Sequence, residues 1–176
     1  MPAALRFARA ALLLTAFPVL LLGQRATSGF TLTQVMGAPY PTNLTTAATG
    51  ERMAWTLNER GQRNVWVAEG PAFAARKLTD YPNDDGQELT AVSLSPDGKW
   101  VVYMRGGDFS SNFDDALPVN PAGMPNPTRV EIWTAPFAGG KPVSIGEGLS
   151  PMISPRSDAV VFERDRQLWL SPIDGS

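Results

Sequence analysis

The chain has 176 residues, with 15 Lys+Arg against 17 Asp+Glu, a formal net charge of −2, and neither histidine nor cysteine. Those absences exclude a Ser-His-Asp or Cys-His nucleophile system within the chain, a His/Cys zinc site and a thiol–disulfide centre. The slightly acidic balance lacks the clustered cationic face that a nucleic-acid backbone requires, and 43% hydrophobic with 18% charged residues describes a folded chain of about one domain.

Residues 1–28 read as an export signal. Arg6 and Arg9 form a basic start, and Ala10 to Leu22 is a 13-residue uncharged stretch rich in Ala and Leu. That length suits a signal-peptide core and falls short of the ~20 residues that span a bilayer. Pro18 inside it disfavours a continuous spanning helix. Cleavage is expected between Gly23 and Ser28; the other reading is a short anchor left uncleaved. Contact with the membrane is expected only through this segment, during export. Its removal takes away Arg6, Arg9 and Arg25 and leaves 12 basic against 17 acidic groups. Without cysteine, an exported chain depends on core burial for its stability.

From residue 29 onward helical periodicity is almost absent, and one sequence of events recurs three times. In the first unit Thr49-Gly50-Glu51-Arg52 leads into Met53-Ala54-Trp55, then Asn64-Val65-Trp66-Val67, closing at Glu69-Gly70. The second unit has the turn Ser95-Pro96-Asp97-Gly98-Lys99, the strand Trp100-Val101-Val102-Tyr103-Met104, and later Glu131-Ile132-Trp133-Thr134-Ala135, closing at Gly139-Gly140. In the third, Ser154-Pro155-Arg156-Ser157-Asp158 precedes Ala159-Val160-Val161-Phe162, and Gln167-Leu168-Trp169-Leu170 closes at Asp174-Gly175. Pro fixes φ and Gly accepts a positive φ, so the Pro-Asp-Gly turn of the second unit reverses the chain at low strain. Trp55 lies 48 residues before Tyr103, and Tyr103 lies 59 before Phe162. Once an insertion of roughly 20 residues in the second unit is set aside, the period is that of a β-propeller blade, about 40–50 residues with several short strands.

The expected fold is therefore all-β: a partial β-propeller of about three four-stranded blades, the last incomplete, over residues 29–176. The blade units fall at about 44–90, 91–148 and 149–176. Trp55, Trp66, Trp133 and Trp169 recur within the units and are expected to pack between blades. A β-sandwich with coincidental turns is the alternative. Three blades leave open faces and strand edges, so a segment of a longer product is expected; self-assembly is the other way to cover them.

Ser95-Pro96-Asp97-Gly98-Lys99 with its apolar strand, together with Ile132-Trp133 and Gly139-Gly140, resembles the TolB-like propeller repeat. Phe30 to Ser176 is similar to the amino-terminal propeller of bacterial secreted prolyl oligopeptidase-family serine peptidases. The segments that carry this narrower resemblance are Asn64-Val65-Trp66-Val67-Ala68-Glu69, Leu78-Thr79-Asp80-Tyr81 and Asp84-Asp85-Gly86-Gln87-Glu88-Leu89. The resemblance implies a propeller that restricts and orients oligopeptide substrates for a carboxy-terminal α/β-hydrolase domain, in a periplasmic or secreted protein. No Gly-x-Ser-x-Gly elbow and no histidine occur, so no catalytic residue carries over to this chain. The alternative is a TolB-like periplasmic propeller that binds proteins and catalyses nothing.

Two segments hold candidate site residues. The run Asp80 to Glu88 offers Asp84, Asp85 and Glu88 to a cationic group of a peptide; the other reading is a blade-joining turn whose carboxylates bond local backbone N–H groups. With Gly86 at the sixth position of a calcium loop the first falls on Tyr81, so that pattern fails and no metal site is assigned. The insertion Gly106 to Arg129 carries Asp108, Phe109 and Phe113, then four prolines; a loop of that length suggests a binding or interface role, and the other reading is a solvated decorative loop. Asp108, Phe109 and Phe113 are expected at substrate or at the hydrolase interface. No cofactor is expected. A carbohydrate-active propeller stays open as a class, with no acid/base pair to name.

Overall fold

The computed structural model describes residues 29–106 and 129–176. The chain divides into a unit of residues 1–31 and a larger unit of residues 32–176, and the fold described here is that of the second. The export segment expected at residues 1–28 and most of the insertion fall outside the described residues. Among the described residues no helix is long and apolar enough to cross a membrane.

A single helical turn, α1 (Leu32–Met36), opens the unit, where the sequence shows no helical period. Five residues are too few to display one. The Gly37 N–H donates to the Thr33 carbonyl at 2.9 Å, and Gly37-Ala38-Pro39 stops the turn.

Three antiparallel sheets follow in chain order. The first orders β1 (Tyr40–Thr46), β2 (Arg52–Glu59), β3 (Gln62–Glu69) and β4 (Arg76–Lys77) side by side. The second does the same with β5 (Leu89–Leu94), β6 (Trp100–Arg105), β7 (Glu131–Pro136) and β8 (Val143–Glu147). The third has three strands, β9 (Leu149–Ile153), β10 (Ala159–Arg164) and β11 (Gln167–Pro172). The strand β1 packs against β5, and β5 against β9, so the first strands of the sheets gather on one side of the stack. These are three blades of a partial β-propeller, the third with three strands.

Register makes the repeat physical. Trp55 lies opposite Trp66, Tyr103 opposite Trp133, and Phe162 opposite Trp169. Each pair joins the second and third strands of its sheet, where facing aromatic side chains stabilise an antiparallel ladder. Opposite Trp55, Tyr103 and Phe162 the first strand carries a β-bulge: the register slips between Thr42 and Thr45, between Thr90 and Ser93, and between Leu149 and Met152. The bulges turn on Asn43, Ala91 and Ser150, at φ of 54°, 50° and 53°. Those residues repeat at the same 48- and 59-residue intervals as the aromatics.

The turns between first and second strands also match. Ala47, Ser95 and Ser154 donate their N–H groups to the carbonyls of Arg52, Trp100 and Ala159. Gly50, Gly98 and Ser157 supply the left-handed residue, at φ of 82°, 69° and 63°. The turns are linked to one another: Thr49 Oγ1 donates to the Pro96 carbonyl (3.0 Å), Arg52 to the Gly98 carbonyl (3.1 Å), and the Asp97 N–H to Ser157 Oγ (3.2 Å).

Two apolar clusters fill the gaps between neighbouring blades. Ala54, Val65 and Val67 of the first sheet meet Val92, Leu94, Val101, Tyr103 and Ala135 of the second, with Trp133 against them. On the opposite face of the second sheet, Val102 and Ile132 meet Val160, Phe162 and Ile173, flanked by Trp100, Met104, Ile145 and Ile153. A sheet sandwiched in this way reads as runs of Val and Ile rather than strict alternation.

Candidate functional site

Antiparallel order puts the three matched turns at one end of the sheets. The hairpin at Arg60-Gly61, the connection 78–88, the stem residues Gly106 and Arg129, and the hairpin at Asp165-Arg166 lie at the other. The candidate residues belong to this second end.

Asn64 holds the connection in place. It is buried near the start of β3, where an apolar residue would suffice for packing. Its Oδ1 accepts from the Tyr81 N–H (2.7 Å) and from Thr79 Oγ1 (3.0 Å), while its Nδ2 donates to the Tyr81 carbonyl (3.0 Å). Thr79 Oγ1 in turn accepts from the Val65 N–H at 2.9 Å. A buried polar network with its members satisfied rigidifies the backbone it grips, and here it sets the loop across the end of the first blade.

Beyond Tyr81 the carboxylates of Asp84, Asp85 and Glu88 each meet an arginine. Arg63 lies 3.2 Å from Asp84 and 3.0 Å from Glu88. Arg105 pairs with Asp85 and stacks on the Tyr81 ring, with Cζ 4.2 Å from the centroid. Asp85 also accepts from the Gln87 N–H (3.0 Å) and Asp84 from the Gly86 N–H (3.3 Å), the local bonding that turn carboxylates make. Tyr81 and Tyr103 share a hydroxyl–hydroxyl hydrogen bond of 2.9 Å. Burial pushes both phenols above their ordinary 10.0, most strongly Tyr103, whose anion the adjoining Tyr81 also disfavours.

The insertion leaves the second blade beside this cluster. The Gly106 N–H donates to the Glu88 carbonyl at 3.0 Å, and Arg129, where the chain re-enters, pairs with Glu147. Asp108, Phe109 and Phe113 lie outside the described residues, so of the six candidates the structure brings together Asp84, Asp85 and Glu88. Asp84 lines a cleft of about 700 Å³ together with Leu32, Met36, Tyr40 and Arg60 among others. Sequence reading did not single out Arg63, Arg105 or Asn64; a buried Asn beside the Val-Trp-Val core of a strand was the available signal for the last.

Among the described residues no three carboxylates gather as a metal site. Lys99 is solvated, its ammonium 3.5 Å from Asp97 and its side chain 72% exposed. This end therefore gathers guanidinium and carboxylate groups, paired with one another, on backbone that the Asn64 amide holds.

No protein-family model matches the chain, and no curated protein sequence does. Solved structures match its fold. Over 79% of the chain it superposes on a putative TolB from Agrobacterium tumefaciens, with a TM-score of 0.50, 17% identity and 47% of that chain covered. Over 77% it superposes on the β-propeller domain of the trilobed protease from Pyrococcus furiosus, with a TM-score of 0.50, 17% identity and 40% of that chain covered. The chain thus spans less than half the length of either, and at such identity the likeness is one of fold.

Proposed function

We propose that the chain is the non-catalytic propeller portion of an exported serine peptidase of the prolyl oligopeptidase family. In this reading it admits oligopeptides, turns away folded proteins and orients the substrate for a carboxy-terminal α/β-hydrolase domain lying outside these residues. Residues 1–28 direct export, to the periplasm or beyond the cell. The observation that carries the reading is the three-blade repeat in a chain with no histidine and no cysteine, which cannot itself supply a Ser-His or Cys-His nucleophile–base pair. The likeness in fold to a protease propeller supports it. So does the placement of Asp84, Asp85 and Glu88 beside Gly106, where the insertion carrying Asp108, Phe109 and Phe113 begins.

A second reading, a TolB-like propeller that binds protein partners without catalysis, is supported in the same measure by the likeness to the putative TolB. One experiment separates the two. The gene product is exposed to a serine-directed fluorophosphonate probe and then to peptides of increasing length and a folded protein. Labelling, with cleavage of short peptides only, is the expected result. Deletion of residues 108–127 should then lower kcat/KM for peptides by up to about a hundredfold, the scale of a misplaced substrate. Absence of labelling and cleavage would select the binding propeller.

A further inference from the structure

Resting on the oligopeptide reading above, we propose that the cleft beside α1 receives the carboxy-terminal end of a peptide. The Arg60 guanidinium takes the terminal carboxylate, and the apolar wall of the cleft takes the last side chain.

Charge singles out Arg60. The arginines nearest the candidate carboxylates are committed: Arg63 to Asp84 and Glu88, Arg105 to Asp85, and Arg129 to Glu147. Arg60 is exposed in the cleft and has neither an ion pair nor a hydrogen bond among the described residues. Asp84 shares the cleft, but Arg63 stands 3.2 Å from it. Tyr40 and Asn58 are also walls of a smaller hollow of about 110 Å³, where Arg63 lies 3.0 Å from Glu88. The charge left for a ligand is therefore positive, and a guanidinium presents a planar fork of donors that fits both oxygens of a carboxylate.

The backbone holds that guanidinium at the lip. Arg60 and Gly61 form the two-residue hairpin between β2 and β3, at φ of 56° and 89°, and Asn58 Oδ1 accepts from the Gly61 N–H at 2.9 Å. Such a hairpin suits Asn, Asp or Gly in both places, so the arginine stands there against the local preference. Close approach shapes the two sides. A methyl group added at Gly37 would lie 3.3 Å from Arg60 Nε and 2.8 Å from the Thr33 carbonyl, and one added at Gly61 would collide with the Asp84 carboxylate. The volume of about 700 Å³ is that of a ligand pocket. Leu32, Met36 and Tyr40, all exposed, supply its apolar wall. The last residue of a peptide bears a carboxylate and a side chain on one carbon atom, which matches a cation beside an apolar wall. An internal Asp or Glu carries its carboxylate in place of an apolar side chain and meets only half of the cleft.

Equilibrium titration of the exported gene product tests this, with any fluorophosphonate-reactive serine blocked beforehand. Three acetylated alanine-based pentapeptides serve as probes: one ending in leucine as the free acid, the same peptide as its carboxamide, and a leucine carboxamide with an internal glutamate. The free acid should bind roughly tenfold tighter than either of the others, the scale of hydrogen bonds to a charged group. Arg60→Asn should bring the free acid down to the affinity of the carboxamide. Asparagine adopts the left-handed turn more readily than arginine, so that loss is not one of folding. Arg166 is likewise unpaired among the described residues, on the matching hairpin of the third sheet, and Arg166→Asn should leave the preference intact. No binding, equal affinity of acid and carboxamide, a glutamate peptide that binds as tightly as the acid, a preference that survives Arg60→Asn, or one lost equally in Arg166→Asn would each overturn the assignment. The two failures are distinct: absent labelling removes the peptidase, whereas equal binding of acid and carboxamide removes the Arg60 site.

Discussion

Asn64 shows how one side chain can set a surface. Its amide fixes Tyr81 through both the N–H and the carbonyl and bonds Thr79 as well. Tyr81 then carries Arg105, and Asp84, Asp85 and Glu88 follow on the same short connection. Asn64→Ala leaves several buried polar groups unpaired, each costing about 1–3 kcal/mol. The expected outcome is a loss of roughly 2–4 kcal/mol in urea unfolding, with faster amide exchange at residues 79–88. A change below half a kcal/mol would mean that the loop is held by its ion pairs instead. Exposed pairs such as Arg63 with Asp84 contribute little, about 0–1 kcal/mol, so the buried amide is the stronger candidate. Asp84, Asp85 and Glu88 were legible as an acidic run. Their partners were not, because Arg63 and Arg105 lie on strands from different sheets and only folding brings them to one loop.

At the scale of the element, the turn between the first two strands of each blade is the unit that repeats most faithfully. Ser95 Oγ donates to Asp97 at 2.7 Å and accepts from the Trp100 N–H at 3.0 Å; Ser154 donates to Asp158 at 2.5 Å in the corresponding turn. Hydrogen bonds from the serine hydroxyls hold both carboxyls below the ordinary 3.8. A carboxyl lowered on folding binds its proton more readily in the unfolded chain, so its contribution is present above pH 3.8 and is lost as pH falls below it. Unfolding measured from neutral pH down through this range should show stability falling toward acid, with a shallower slope in Asp97→Asn. Equal slopes would remove Asp97 from the acid response. The motif Ser-Pro-Asp-Gly was readable because its chemistry is local. The first strands were less so: β1 begins Tyr-Pro, and the bulges at Asn43, Ala91 and Ser150 break the alternation that marks a strand.

For the whole molecule, the second sheet is the keystone, since it alone among the three is covered on both faces by apolar clusters. Ile132 is wholly buried between the second and third sheets. Ile132→Ala should cost about 2–5 kcal/mol, the usual range for a truncated core aliphatic. The loss should appear in one cooperative transition monitored by tryptophan fluorescence, because Trp133 beside it faces the other cluster. Two separate transitions would show that the blades melt independently, as weakly coupled repeats can.

Composition and spacing alone determined a good deal. The absence of histidine and cysteine excluded catalysis by a self-contained triad, and the 48- and 59-residue intervals set the number and order of the blades. Those properties depend on residue identity and on distances along the chain, which a sequence states outright. Tertiary structure decided which faces meet: that Tyr103 and Trp133 point back to the first sheet while Val102 and Ile132 point on to the third, and that Leu168 and Leu170 stand uncovered. Adjacent residues of a strand face opposite ways, so a hydrophobic run in a two-sided blade carries no mark of which neighbour each side chain will touch. Only the register of the assembled sheets supplies that mark.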